Sequence, residues 1–156
     1  HLFLVRRRFD YEASLGRGES FAELTHNMRR AMFCPVLPGD NSFRTRLFHA
    51  VLAGCVPVVI LFPGGGWYRN LGPSVERSLP FAAHDGDGGD EFRRPRVDWR
   101  GLAVELPFDP ELEGFLAWAR RLVPALLKLS VGEVQERQRR VAEAAALLRW
   151  DLAGER

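Results

Sequence analysis

The stretch Met32-Phe33-Cys34-Pro35-Val36-Leu37-Pro38-Gly39-Asp40-Asn41-Ser42-Phe43-Arg44-Thr45-Arg46-Leu47-Phe48-His49-Ala50-Val51-Leu52-Ala53-Gly54-Cys55-Val56-Pro57-Val58-Val59-Ile60 decides the fold. An apolar run leads into a Gly-Asp turn, then a basic helix, then a second apolar, β-branched run from Val56 to Phe62. That order is a βαβ unit, and it predicts a parallel sheet. In such a sheet the loop leaving a strand's carboxyl end opens into a crevice. The next helix points its partly positive N-terminus and unpaired N–H groups into that crevice. A diphosphate fits there, which makes Gly39, Asp40, Asn41 and Ser42 candidate diphosphate-binding residues. Ser42 is suited to cap the helix and Gly54 to close it, giving about three turns.

Helix geometry separates the two arginines. At roughly 100° per residue, Leu47, Phe48, Val51 and Leu52 form one apolar arc with Arg44 on it. Arg46 falls nearly opposite, and His49 lies off the arc. An arginine on the buried face but in the first turn reaches only the crevice mouth, where its fork of donors suits a phosphate. Arg44 is therefore preferred to Arg46 as the phosphate ligand. The competing reading makes both ordinary surface charges.

The remaining segments fit an α/β chain. Leu2 to Val5 reads as a first strand. Ser20 and Glu23 have capping-box spacing for a helix whose apolar face is Phe21, Leu24, Met28 and Met32. Pro57 places itself near the start of its strand. Beyond that strand, Pro63-Gly64-Gly65-Gly66-Trp67 falls at the same crevice edge as the Gly39 turn. Gly64 and Gly65 would let a ligand approach the backbone there, though a flexible loop is the simpler reading. Trp67 or Tyr68 offers a ring on which a ligand could stack, against the more common structural role of such aromatics.

Leu102 to Leu106 reads as another strand. Asp109-Pro110-Glu111 has the signature of a helix start, with Leu112, Phe115, Leu116, Ala119 and Leu122 as its stripe and Pro124 as its bound. Ser130 and Glu133 open a final helix with Val134, Val141, Ala145 and Leu148 on one face.

With 156 residues, 46% hydrophobic and 27% charged, the chain has enough apolar material for one core and one domain over 1–156. A formal charge of +2 gives no electrostatic argument for nucleic acid. The clusters at Arg6 to Arg8, Arg93-Arg94 and Arg137 to Arg140 read as solvated faces without interleaved aromatics. No segment reaches the roughly 20 apolar residues of a membrane span.

Cys34 and Cys55 lie on or beside the two strands of the βαβ unit. Buried free thiols are the default reading, and a lumenal disulfide is the sharper alternative. The acidic segment from His84 to Glu91 contains Asp85-Gly86-Asp87 and invites a metal. It is Gly-rich and follows no apolar strand, so a mobile insertion near 83–97 is the preferred reading.

These residues resemble the exostosin-like glycosyltransferases. That family carries a pattern like Phe-Cys-Leu-x-Pro-x-Gly-Asp, a Ser/Arg-rich turn, and Phe-Asp-Ala-Ile-x-x-Gly-Cys-Ile-Pro-Val. Here Phe33-Cys34, Pro38-Gly39-Asp40, Arg44, Phe48, Ala50 and Gly54-Cys55-Val56-Pro57-Val58 match. Leu79-Pro80-Phe81, Asp98-Trp99, Leu102 to Leu106 and Val134-Gln135 follow in order, so the resemblance spans Thr25 to Trp150.

The resemblance implies a Rossmann-like parallel sheet flanked by helices, the nucleotide-sugar-binding half of a GT-B enzyme. It further implies a UDP-sugar donor, inverting transfer to a glycan or glycoprotein acceptor, and a missing N-terminal half. It also implies a Golgi type II membrane protein whose anchor lies upstream. No cofactor is firmly implied, and metal dependence is left open.

Three positions depart from the pattern. His49 stands where the family usually has Asp, Ala82 replaces an acid after Leu-Pro-Phe, and an insertion precedes Asp98-Trp99. Inverting transfer needs a base and stabilisation of the leaving diphosphate. The Gly39 turn, Ser42, the helix N-terminus and Arg44 supply the second. His49 and His84 are bases by residue type only, and the base is expected from across the cleft. Two other classes remain: an inactive sugar-nucleotide or glycan-binding module of this fold, and an unrelated phosphate-binding α/β domain.

Overall fold

The computed structural model describes residues 20–36, 43–67, 79–82 and 96–149. Its elements are α1 (Phe21–Arg30), β1 (Phe33–Val36), α2 (Phe43–Leu52), β2 (Val56–Leu61), α3 (Trp99–Leu102), β3 (Val104–Pro107), α4 (Phe115–Leu126) and α5 (Val131–Leu148). The strands form one sheet in the order β1-β2-β3. Both pairings are parallel, with Phe33 opposite Val56 and Val58 opposite Val104. The βαβ unit is thus present, and the architecture is α/β, a parallel sheet flanked by helices. The segment Leu2 to Val5 and the insertion over 83–95 lie outside the described residues.

Pro35 and Pro57 sit in the sheet where a missing N–H costs nothing. Val56 turns its N–H toward β1, donating to the Met32 carbonyl at 3.0 Å. Because successive residues face opposite sides, Pro57 faces β3, which pairs only from Val58 onward. By the same alternation Pro35 faces away from β2, on the open side of β1 in the described sheet.

α2 ends as its glycine predicts. Gly54 has φ of 79°, its N–H bonds the Val51 carbonyl at 3.0 Å, and Cys55 N–H bonds the Ala50 carbonyl at 2.9 Å. These two bonds make a Schellman motif. Leu47, Ala50 and Val51 are fully buried, whereas Leu52 is 37% exposed. The apolar arc is therefore centred on Leu47 and shifted away from Leu52, because Ala50 faces the sheet and α5.

Around that centre Val36, Val56, Val58, Val59, Leu102, Val141 and Ala144 form the main core. Each fully buried Val or Leu side chain there contributes about 1.5–3 kcal/mol. α5 packs on α2 and α3. Its start carries the expected capping box of Ser130 and Glu133, as α1 does with Ser20 and Glu23.

Three expectations need correction. Cys34 and Cys55 are a disulfide with Cα atoms 5.8 Å apart, not free thiols. β3 starts at Val104 because Asp98 caps the short α3, its carboxylate accepting the Gly101 N–H at 2.9 Å. Asp109 makes a local turn instead of a helix start, accepting the Glu111 N–H at 2.9 Å. The helix begins at Phe115 after Gly114.

The stripe of α4 also differs from the expected one. Trp118 and Leu126 face inward, while Leu112 is 84% and Leu116 73% exposed. Trp118 wins the inward position by joining Ile60 and Phe62 in a second small cluster. Pro124 lies inside α4 and does not bound it. Its position in the last turn disturbs only one hydrogen bond of a helix that is about to end.

Candidate functional site

Three parallel strands put Val36, Leu61 and Pro107 at one edge of the sheet. This is the edge where α/β proteins form their ligand crevice. The loop leaving β1 carries Gly39, Asp40, Asn41 and Ser42, and all four lie outside the described residues. α2 starts at Phe43, so Arg44 falls in its first turn, at this edge. By helical register position 44 shares the row of Val51, seven residues on, and Val51 is fully buried. Arg46 is exposed. His49 is half-buried in the last turn of α2, away from the edge. His84 and Tyr68 lie outside the described residues.

The turn after β2 is held, not loose. Phe62 N–H donates to the Gly66 carbonyl at 2.9 Å and Gly65 N–H to the Phe62 carbonyl at 3.0 Å. Gly64 and Gly65 have φ of 90° and 80°, a left-handed pair that side chains resist. Among the described residues, a Cβ on either would meet nothing within 4 Å, so they leave the outer side of the turn open. Backbone conformation, not crowding, is what requires glycine.

Trp67 is fully buried and its indole N–H donates to the Glu105 carboxylate. The ring is a structural aromatic with no face left for a base. Glu105 also pairs with Arg100 at 3.0 Å, and Arg100 donates to the Gly65 carbonyl oxygen. One carboxylate thus ties β3, α3 and the glycine turn together. Nothing in the local sequence joins Arg100 or Glu105 to this turn. The usable signal is a lone charge inside the run Leu102 to Leu106, because a carboxylate in a short buried strand needs a partner.

The later landmarks are also structural. Trp99 is 2% exposed, donates to the Pro80 carbonyl at 2.9 Å and meets Phe48 edge-on at 5.8 Å. Val97 N–H donates to the Phe81 carbonyl at 2.6 Å, and Ala82 bridges Val97 in parallel. The two ends of the insertion are therefore pinned side by side. Phe81 has φ of 57°, a left-handed conformation uncommon for a bulky residue.

A cleft of about 310 Å³ lies elsewhere, between the Arg96–Asp98 strand-like segment and α5, lined by Arg96, Asp98, Arg139, Arg140 and Glu143. Asp98 pairs with Arg140 at 2.7 Å, and Glu136 pairs with Arg139 at 2.7 Å and Arg140 at 2.8 Å. These groups neutralise one another and clamp α5 to α3. The basic run in α5 is thus an ion-pair network as well as a solvated face.

Against this geometry, a family model for the exostosin GT47 domain matches residues 6–110. The chain belongs to the exostosin GT47 family. That family is one of glycosyltransferases, and the match takes in the βαβ unit, the glycine turn, Arg100 and Glu105. The helices α4 and α5 of this exostosin GT47 domain lie beyond the matched residues. Comparison with curated proteins and with solved structures gave no match. Among the described residues, no helix is long and apolar enough to cross a membrane.

Proposed function

We propose that this exostosin GT47 domain is the nucleotide-sugar-binding half of a two-domain GT-B glycosyltransferase. It takes a UDP-sugar and serves inverting transfer to a glycan or glycoprotein acceptor. The observation that carries the reading is the sheet edge. The helix after β1 and the left-handed glycine turn after β2 both start at carboxyl ends of adjacent parallel strands, where a diphosphate is favoured by backbone donors and a helix N-terminus.

The division of labour follows from that placement. Gly39, Asp40, Asn41 and Ser42 with the first turn of α2 hold the diphosphate, and Arg44 offsets its growing charge as the bond to sugar breaks. Gly64 and Gly65 form the second wall. The general base comes from the other half across the cleft, with the acceptor. The disulfide supports folding in an oxidising lumen, in keeping with a Golgi type II membrane protein.

Titration calorimetry with UDP, with ADP and GDP as competitors, tests the reading. UDP binds selectively, and Arg44→Ala weakens it about tenfold, the loss of one charge-assisted hydrogen bond. Arg46→Ala changes affinity less than about twofold. Equal effects of the two substitutions would overturn the assignment of Arg44. Failure of a correctly folded chain to bind any nucleoside diphosphate would overturn the donor site. Ala82, in place of the family's usual acid, favours a second reading in which the site binds donor without turnover. Measured UDP binding without transfer by the complete two-domain enzyme would select it.

A further inference from the structure

We propose that Arg100 is the positioning residue of the Pro63–Trp67 turn, fixing it as a wall for the donor's diphosphate. The inference rests on the donor-binding reading above. A turn with two consecutive left-handed glycines has more backbone freedom to lose than any other sequence. Its own closure consists of the two bonds between Phe62 and Gly65 or Gly66. A rigid ligand-facing turn needs more than that, and Arg100 supplies it.

One side of its guanidinium donates to the Gly65 carbonyl oxygen while the other pairs with Glu105. Glu105 in turn is anchored by the buried Trp67 indole, at the far end of the same turn. Gly65 and Trp67 are thereby tied to one rigid point on β3. A guanidinium does this through its planar fork, which bonds two partners at a fixed angle, whereas an ammonium acts as a point charge. Capture of the Gly65 carbonyl fixes the Gly65–Gly66 peptide plane, and the bond from Gly65 N–H to the Phe62 carbonyl holds the Gly64–Gly65 plane before it. Gly64 is exposed, and no described residue takes its N–H, so the ordered turn presents a backbone donor at its open side. Preorganising such a donor raises affinity by removing the ordering cost from the binding step.

The test compares the wild-type chain with Arg100→Ala and Arg100→Lys, using two readouts. Amide exchange by NMR follows Phe62 and Gly65, whose N–H groups close the turn, against Val58 and Ile60 in β2. Titration follows UDP and, by chemical-shift change, uridine, which lacks the diphosphate. In Arg100→Ala the turn amides exchange at least about tenfold faster while the β2 amides hold their protection. UDP weakens about tenfold and uridine stays within about twofold. Arg100→Lys recovers only part of both losses.

Equal weakening of UDP and uridine, or unchanged exchange at Gly65, overturns the proposal. UDP binding that Arg100→Ala leaves unchanged overturns it alone and spares the donor reading. No UDP binding by the wild type overturns both.

Discussion

Removing the Cys34–Cys55 bridge should destabilise the domain by about 3 kcal/mol. The bridge spans a sequence separation of 21, and the loop-entropy relation for a closed loop of about that length gives this figure at room temperature. For a chain of this size each kcal/mol moves the melting temperature about 2–4 °C, so a fall of about 10 °C is expected. The loss belongs to one bond, so Cys34→Ala, Cys55→Ala and the double variant should melt close together and not additively.

The partners sit 5% and 0% exposed at the sheet edge opposite the proposed donor site. UDP affinity measured well below the melting point should therefore be preserved. The assay is thermal unfolding with and without reductant, paired with a thiol titration in denaturant. The bridge acts on the unfolded chain, so the urea m-value should rise in the variants as that chain becomes less compact. Free thiols in unreduced wild type, or melting points of the variants within about 1 °C of wild type, would refute the reasoning.

Gly101→Ala is a test of sign. In an exposed helix position alanine is favoured over glycine by about 1 kcal/mol. Here its Cβ would lie 2.0 Å from both Arg140 Nη1 and Asp98 Oδ2, and 2.7 Å from Asp98 Cγ, so the cap and the clamp onto α5 must move. The substitution should destabilise by about 1–3 kcal/mol in urea unfolding; a gain in stability would show that the clamp yields freely. Stability should also fall with acid. Hydrogen bonds from Arg139, then Arg140, lower the Glu136 pKa from an ordinary 4.5 to about 2. The Ser20 and Ser130 backbone N–H groups lower those of Glu23 and Glu133. A depressed carboxylate stabilises the fold above its unfolded pKa and loses that contribution as pH falls through its folded value. Urea midpoints should therefore drop between about pH 5 and pH 2. Glu136→Gln should flatten the slope, as should high salt, since these pairs are exposed. An unchanged slope in Glu136→Gln would contradict the assignment.

By itself the sequence determined the βαβ unit, its parallel sheet and the capped ends of α1, α2 and α5. These follow from local periodicity and from residues such as Ser20, Gly54 and Ser130 that act on their immediate neighbours. The family's residues were legible for the same reason, being contiguous. It also placed the glycine turn at the carboxyl-end edge of the sheet, because strand direction and connection order suffice for that. Only the tertiary structure decided that Trp67 is closed into the core and that Cys34 reaches Cys55. It alone showed that α4 turns Trp118 inward while Leu112 and Leu116 stay outside. Each of those outcomes depends on a partner distant in sequence: Glu105 for Trp67, the register of β1 on β2 for the bridge, and Ile60 with Phe62 for Trp118. A helix of amphipathic composition can present several faces to a core, and long-range packing selects among them.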